Sequence, residues 1–154
     1  MKTLKQHINE ALKIGKDLSE WSSYSCQPIT KDELKKIIND RISKEGNDCD
    51  LNDIDTSLIT DMSGLFMLSN FNGDISKWNV SKVKYMADMF NDSKFNQPIG
   101  DWNVSNVRGM GWMFENSEFN QNISNWNISN NCATVEIFTN CPIKEEYKPK
   151  SLQS

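Results

Sequence analysis

The sequence predicts an α/β repeat solenoid in which 24-residue coils each join a short helix to a short strand, closed at one end by an α-helical N-terminal cap. Three observations predict it. The segments SLITDMSGLFMLSNFNGDISKWNV (57–80), SKVKYMADMFNDSKFNQPIGDWNV (81–104) and SNVRGMGWMFENSEFNQNISNWNI (105–128) follow one another with no insertion, and a constant period of this length marks stacked supersecondary units. Apolar side chains return in the same columns of every unit. A helix-start signal, Thr30 followed by Glu33, stands ahead of the first unit, where an uncapped coil would otherwise expose apolar surface.

In chain order, residues 1–29 read as an amphipathic helix and linker. Leu4, Ile8, Ala11 and Leu12 share one helical face, and the serine-rich run DLSEWSSYSCQPI that follows is loop-like. Residues 30–46 form the capping helix: the Thr30 hydroxyl and the Glu33 carboxylate make a capping box, Leu34, Ile37, Ile38, Arg41 and Ile42 keep helical spacing, and Gly46 supplies the turn that ends it. Residues 47–143 hold the three full repeats with a half-repeat at each end. Leu51, Ile54 and Thr56 open the period, and Thr134, Ile137, Phe138 and Cys141 close it before Pro142 and Lys144 break the pattern. Residues 144–154 are expected to be a frayed tail.

Eight columns predict the core: Ile59, Val83, Val107; Met62, Met86, Met110; Leu65, Met89, Met113; Phe66, Phe90, Phe114; Phe71, Phe95, Phe119; Ile75, Ile99, Ile123; Trp78, Trp102, Trp126; and Val80, Val104, Ile128. The first four columns have the spacing of a helix face, with Ser57, Ser81 and Ser105 placed as N-caps. The last two are two residues apart, as on one side of a strand. Asn72, Asn96, Asn120 and Asn79, Asn103, Asn127 recur just as strictly, which assigns them to turns and to hydrogen bonds along the stack.

The composition excludes several functions. The chain carries 17 basic and 21 acidic residues, a net charge of −4, and the repeat region is the more acidic part, so nucleic acid is a poor partner. The four cysteines, Cys26, Cys49, Cys132 and Cys141, have no CxxC spacing, and His7 is the only histidine. They are expected to be free thiols, although Cys132 and Cys141 could meet in the last coil. The acidic run Asp48, Asp50, Asp53, Asp55 and Asp61 fails as a calcium loop, because Asp53 stands where glycine is required and Ile59 where the bidentate glutamate belongs. No nucleophile–base or paired-carboxylate constellation is visible, so the chain is expected not to be an enzyme and to need no metal or cofactor. The opening MKTLKQHINEALKIGK lacks the apolar run of a signal peptide or membrane span, which suggests that the chain folds in the cytoplasm unless another route exports it.

The unit FNxxIxxWNVSxVxxMxxMF, present as FNGDISKWNVSKVKYMADMF and FNQPIGDWNVSNVRGMGWMF, resembles the BspA-like leucine-rich repeat family, known also as a repeat domain of unknown function in mycoplasma-type lipoproteins. The resemblance spans residues 51–141. It implies a leucine-rich-repeat-like, right-handed solenoid and a surface protein that binds host proteins or other cells. Residues 1–66, with MKTLKQHINEALKI, QPITKDELKKIINDRISKEG and DLNDIDTSLITDMSGLF, are similar to small repeat proteins of gut Bacteroidetes phages, which implies a virion or host-interaction component.

Once the columns are assigned to structure, the misfits become the candidate partner-binding residues. Trp112 takes the column of Gly64 and Asp88, Tyr85 that of Asp61 and Gly109, and Met67 and Leu68 replace polar pairs in the later coils. Exposed aromatic and methionine side chains concentrate at interface centres. The expected function is therefore a non-catalytic protein–protein interaction module, with a further docking stripe at Leu4, Ile8 and Leu12. The alternatives are an adhesin-type surface protein and a small-ligand or carbohydrate module using a strand face around Lys77, Asp101 and Asn125.

Overall fold

The computed structural model describes residues 24–154, so the amphipathic stripe Leu4, Ile8 and Leu12 lies outside the described residues. Helix α1 spans Lys31–Glu45. Thr30 caps it through its hydroxyl, which accepts from the Glu33 N–H at 3.2 Å. The Glu33 carboxylate reaches back to the Ile29 N–H at 2.8 Å, one residue before the cap itself. Gly46, with φ of 92°, ends the helix by donating to Ile42 O, a conformation that glycine adopts without steric cost. Leu34, Ile37 and Ile38 are buried beneath it.

The repeats do stack, but they are not built from helix and strand. Among the described residues α1 is the only α-helix, joined by two 3-10 turns, Glu145–Tyr147 and Lys150–Leu152. The described residues contain no strand, only four isolated parallel bridges: Cys26–Ile54, Asp61–Tyr85, Tyr85–Gly109 and Gly109–Ala133. The expected α/β solenoid of helix-plus-strand coils is therefore corrected to a stack of coils made of successive turns. The Ser57, Ser81 and Ser105 N-caps fall with the helices they were to start.

The run expected to be helical shows why. Its backbone N–H groups do not return to carbonyls four residues back. Met62, Gly64, Phe66 and Leu68 instead donate to Tyr85, Ala87, Met89 and Asn91 of the next coil at 2.8–2.9 Å, and Met86, Asp88, Phe90 and Asp92 repeat this toward Gly109, Gly111, Met113 and Glu115. Residues between them close tight turns, as in Leu65 N to Met62 O and Met89 N to Met86 O. An isolated helix this short is unstable in water, whereas a neighbouring coil supplies a partner for every second amide. The expected strand is likewise a turn. Trp102 N bonds Ile99 O at 3.2 Å, and the Trp78, Trp102 and Trp126 indoles reach back to Leu51 O, Ile75 O and Ile99 O of the preceding coil.

The core columns are buried throughout all three repeats, because an inward-facing position stays inward whether a helix or a turn ladder presents it. The phenylalanines form two continuous rows. Phe66, Phe90, Phe114 and Phe138 stack at 5.6, 5.5 and 5.9 Å between ring centres, and Phe71, Phe95 and Phe119 at 6.2 and 6.3 Å. The asparagines work as turn and stack residues. Asn79 Oδ1 accepts from Ser81 N, while Asn96 N donates to Asn72 Oδ1 and Asn120 N to Asn96 Oδ1.

Both ends are closed by the chain itself. At the first coil, Lys35 of α1 donates its ammonium to Leu65 O and Lys31 pairs with Asp61 at 3.2 Å, while Cys26, in a segment expected to be linker, adds a rung beside Ile54 through Asp55 N to Cys26 O. At the last coil the tail expected to fray is docked. Ile143, Tyr147 and Leu152 follow Phe119, Ile123 and Ile128 by 24 residues, Ile143 is buried and Tyr147 and Leu152 pack on the core. Ile123 N donates to Tyr147 O at 3.0 Å, and the Lys148 ammonium sits 5.8 Å from the Phe138 ring centre, over the last ring of its row.

Phe90→Ala is expected to lower unfolding free energy by ~3–5 kcal/mol, the cost of a large core cavity. Phe138→Ala should cost less, because its ring has a stacking partner on one side only; paired urea titrations test the order. Deleting residues 144–154 should destabilise the fold and release the Ile123 amide from protection in hydrogen exchange, where a frayed tail would leave both unchanged.

Candidate functional site

Each coil reverses direction at two residues of positive φ placed four apart: Gly64 and Leu68, Asp88 and Asp92, Trp112 and Asn116, Glu136 and Asn140, all between 50° and 65°. This left-handed conformation costs an ordinary L-residue ~1–2 kcal/mol, and glycine, asparagine and aspartate bear it best. Five of the eight positions are of those types. Leu68, Trp112 and Glu136 are not, and two of these three are residues the sequence marks as apolar misfits. Trp112 and Glu136, in successive coils of one column, hold each other: the indole Nε1 donates to Glu136 Oε2 at 2.8 Å.

Trp112 is 38% exposed, Tyr85 49% and Val135, which the sequence reading passed over, 51%. The ladder gathers them on one side of the stack. Trp112 N donates to Val135 O at 2.9 Å. Tyr85, Gly109 and Ala133 pair in one column of bridges. Gly109 leaves space beside the Tyr85 ring, as a Cβ there would lie 3.7 Å from Tyr85 Cδ1, and at Gly111 a Cβ would lie 3.0 Å from Val135 Cγ1. Gly109 and Gly111 thus make room for the Tyr85 ring and the Val135 side chain of the neighbouring coils. Val135 could have been found from its column, where Ser63, Ala87 and Gly111 are all smaller.

Met67 and Leu68 are exposed at 44% and 73% but do not join this patch. Asn91 lies between, bonded through Nδ2 to Asp88 Oδ1 at 2.9 Å and Glu115 Oε2 at 3.2 Å. Lys77, Asp101 and Asn125 are exposed in successive coils. They stand on the turns ahead of each core tryptophan, so the strand face proposed for them does not exist.

The acidic run is dispersed over separate tasks. Asp53 accepts both contacts of Arg41 Nη1, at 2.9 and 3.1 Å, Asp55 takes Gln27 Nε2 and Ser57 N, Asp50 caps Asn52 N and Asp61 caps Ser63 N. Burial raises the Asp53 carboxyl, but its contacts with Ser25 and Arg41 outweigh this and hold it below the usual range. Among the described residues no group of three metal-ligating side chains converges. The four cysteines are free thiols. Cys141 donates to Phe119 O at 3.2 Å, and burial pushes its thiol up.

A second feature was not legible in the sequence. A cleft of ≈ 720 Å³ crosses several coils on the side where each repeat begins, and Lys82, Lys84 and Arg108 line it together with Ser81, Ser105 and Ser129.

The family model described as Mycoplasma protein of unknown function, DUF285, matches residues 32–148. The chain belongs to the DUF285 family. The DUF285 match opens inside α1 and closes just after the first 3-10 turn of the tail, so it takes in both closures as well as the repeats. No curated protein and no solved structure matches the chain. Among its described residues no helix is long and apolar enough to cross a membrane.

Leu68→Asn is expected to raise stability by ~1 kcal/mol, because the side chain is largely in solvent and asparagine bears positive φ better than leucine. Trp112→Gly should be stabilising or neutral despite the lost indole bond, and thermal melts of both variants check the sign.

Proposed function

We propose that this DUF285 protein is a non-catalytic module that binds another protein through the patch of Tyr85, Trp112 and Val135. The observation that carries the reading is Trp112. A bulky aromatic residue is held exposed in a left-handed conformation that its column elsewhere gives to Gly64, Asp88 and Glu136, and such strain persists at functional sites because the fold around it enforces it. Tyr85 and Trp112 are exposed on neighbouring coils, and tyrosine and tryptophan are the residue types that dominate interface hot spots.

The resemblance of the repeat unit to BspA-like proteins supports binding rather than catalysis. The similarity of residues 1–66 to small phage repeat proteins supports a place in a virion or in a phage-infected cell. In affinity capture from the native source followed by mass spectrometry, Trp112→Ala and Tyr85→Ala should each reduce recovery of the same partner at least tenfold, while Leu68→Ala leaves it unchanged. Equal capture by all three variants would sink the assignment.

A further inference from the structure

We propose that the cleft lined by Lys82, Lys84 and Arg108 binds a saccharide carrying an oxyanion, either a sulfate or a phosphate ester. The charge distribution points there first. Residues 51–142 contain five cations, Lys77, Lys82, Lys84, Lys94 and Arg108, against ten carboxylates. Three of the five line this one cleft, and none of the ten carboxylates does. All three cations are exposed, and among the described residues none of them is ion-paired, whereas Lys94 pairs with Glu118 of the next coil at 2.9 Å.

Stability does not account for this placement. Arg108 N donates to Lys84 O at 2.8 Å, so Lys84 and Arg108 occupy one column on neighbouring coils, and like charges directly opposite on paired backbones repel. The column of Lys94 and Glu118 places opposite charges at the same separation in sequence. An anion bound across Lys84 and Arg108 would turn that repulsion into two charge-assisted contacts.

The remaining lining narrows the ligand. The Ser81 and Ser105 hydroxyls already donate to Asn79 Oδ1 and Asn103 Oδ1, both at 2.7 Å, so toward the cleft they act as acceptors. Asn106 donates its Nδ2 to Ser81 O at 2.7 Å, which leaves its oxygen as a further acceptor. Cations beside hydroxyl-oxygen acceptors match a ligand that is anionic at one group and rich in hydroxyl donors around it. No aromatic ring lines the cleft on which a nucleobase could stack.

Isothermal titration with sulfated, phosphorylated and unmodified maltohexaose tests the assignment. We expect one of the two esterified sugars to bind, the unmodified sugar not to, and the identity of the binder to fix the ester. The double variant Lys84→Gln, Arg108→Gln should weaken that binding at least tenfold, and Lys94→Gln should leave it unchanged. The double variant should also melt no lower than the parent, since its loss relieves repulsion. The proposal is overturned if neither ester binds, if Lys94→Gln weakens binding equally, or if a dodecathymidylate or a multiply phosphorylated peptide binds as tightly as the sugar.

Discussion

Everything in this molecule depends on the backbone of each coil finding its hydrogen-bond partners in the next coil. Unpaired buried amides are expensive, and a coil of turns satisfies only part of its own groups. The donors at Met62, Gly64, Phe66 and Leu68, and their equivalents 24 residues on, therefore make stacking obligatory. The phenylalanine and tryptophan columns then fill the interior that stacking encloses. The order of dependence matters: rings can form continuous rows only because the ladder fixes one register for every coil.

The same constraint shapes the surface. A ladder that advances by two residues and must still close a tight loop needs a reversal of hand twice per coil, and it places residues such as Leu68 and Trp112 where their own conformational preference would not. Those positions face outward, so a side chain there is unconstrained by packing and visible to solvent. The basic cleft and the apolar patch meet along the ladder, where Lys84 precedes Tyr85 and Arg108 precedes Gly109. Both are set by side chains outside the buried columns, so a repeat can vary them without disturbing the interior.

The columns were legible because burial repeats with the period whatever the local conformation, and α1 because the Thr30–Glu33 signal and Gly46 are local. The coil's conformation was not. An inward spacing of 3, 3 and 1 fits a helix face and a turn ladder alike, and only the short polar residues at Asp92, Asn116 and Asn140 hinted at reversals that a helix would not contain. The docked tail was hidden because Pro142 and Lys144 interrupt the pattern and Lys150 stands in the tryptophan column, although Ile143, Tyr147 and Leu152 keep the period. Of the site, Trp112 and Tyr85 were visible as departures from their columns. The cleft was not, since Lys84 and Arg108 are remote in sequence and become neighbours only when coils stack.

The asparagine column carries one more consequence. Asn96 receives a side-chain oxygen at its amide and offers its own to Asn120, which passes the same contact to the amide of Lys144 at 3.1 Å. Lysine has no side-chain oxygen to pass on, so the relay has a direction and a terminus. The relay stops at that residue: copies of the 24-residue unit inserted before it would extend the relay, whereas copies placed after it would begin without one.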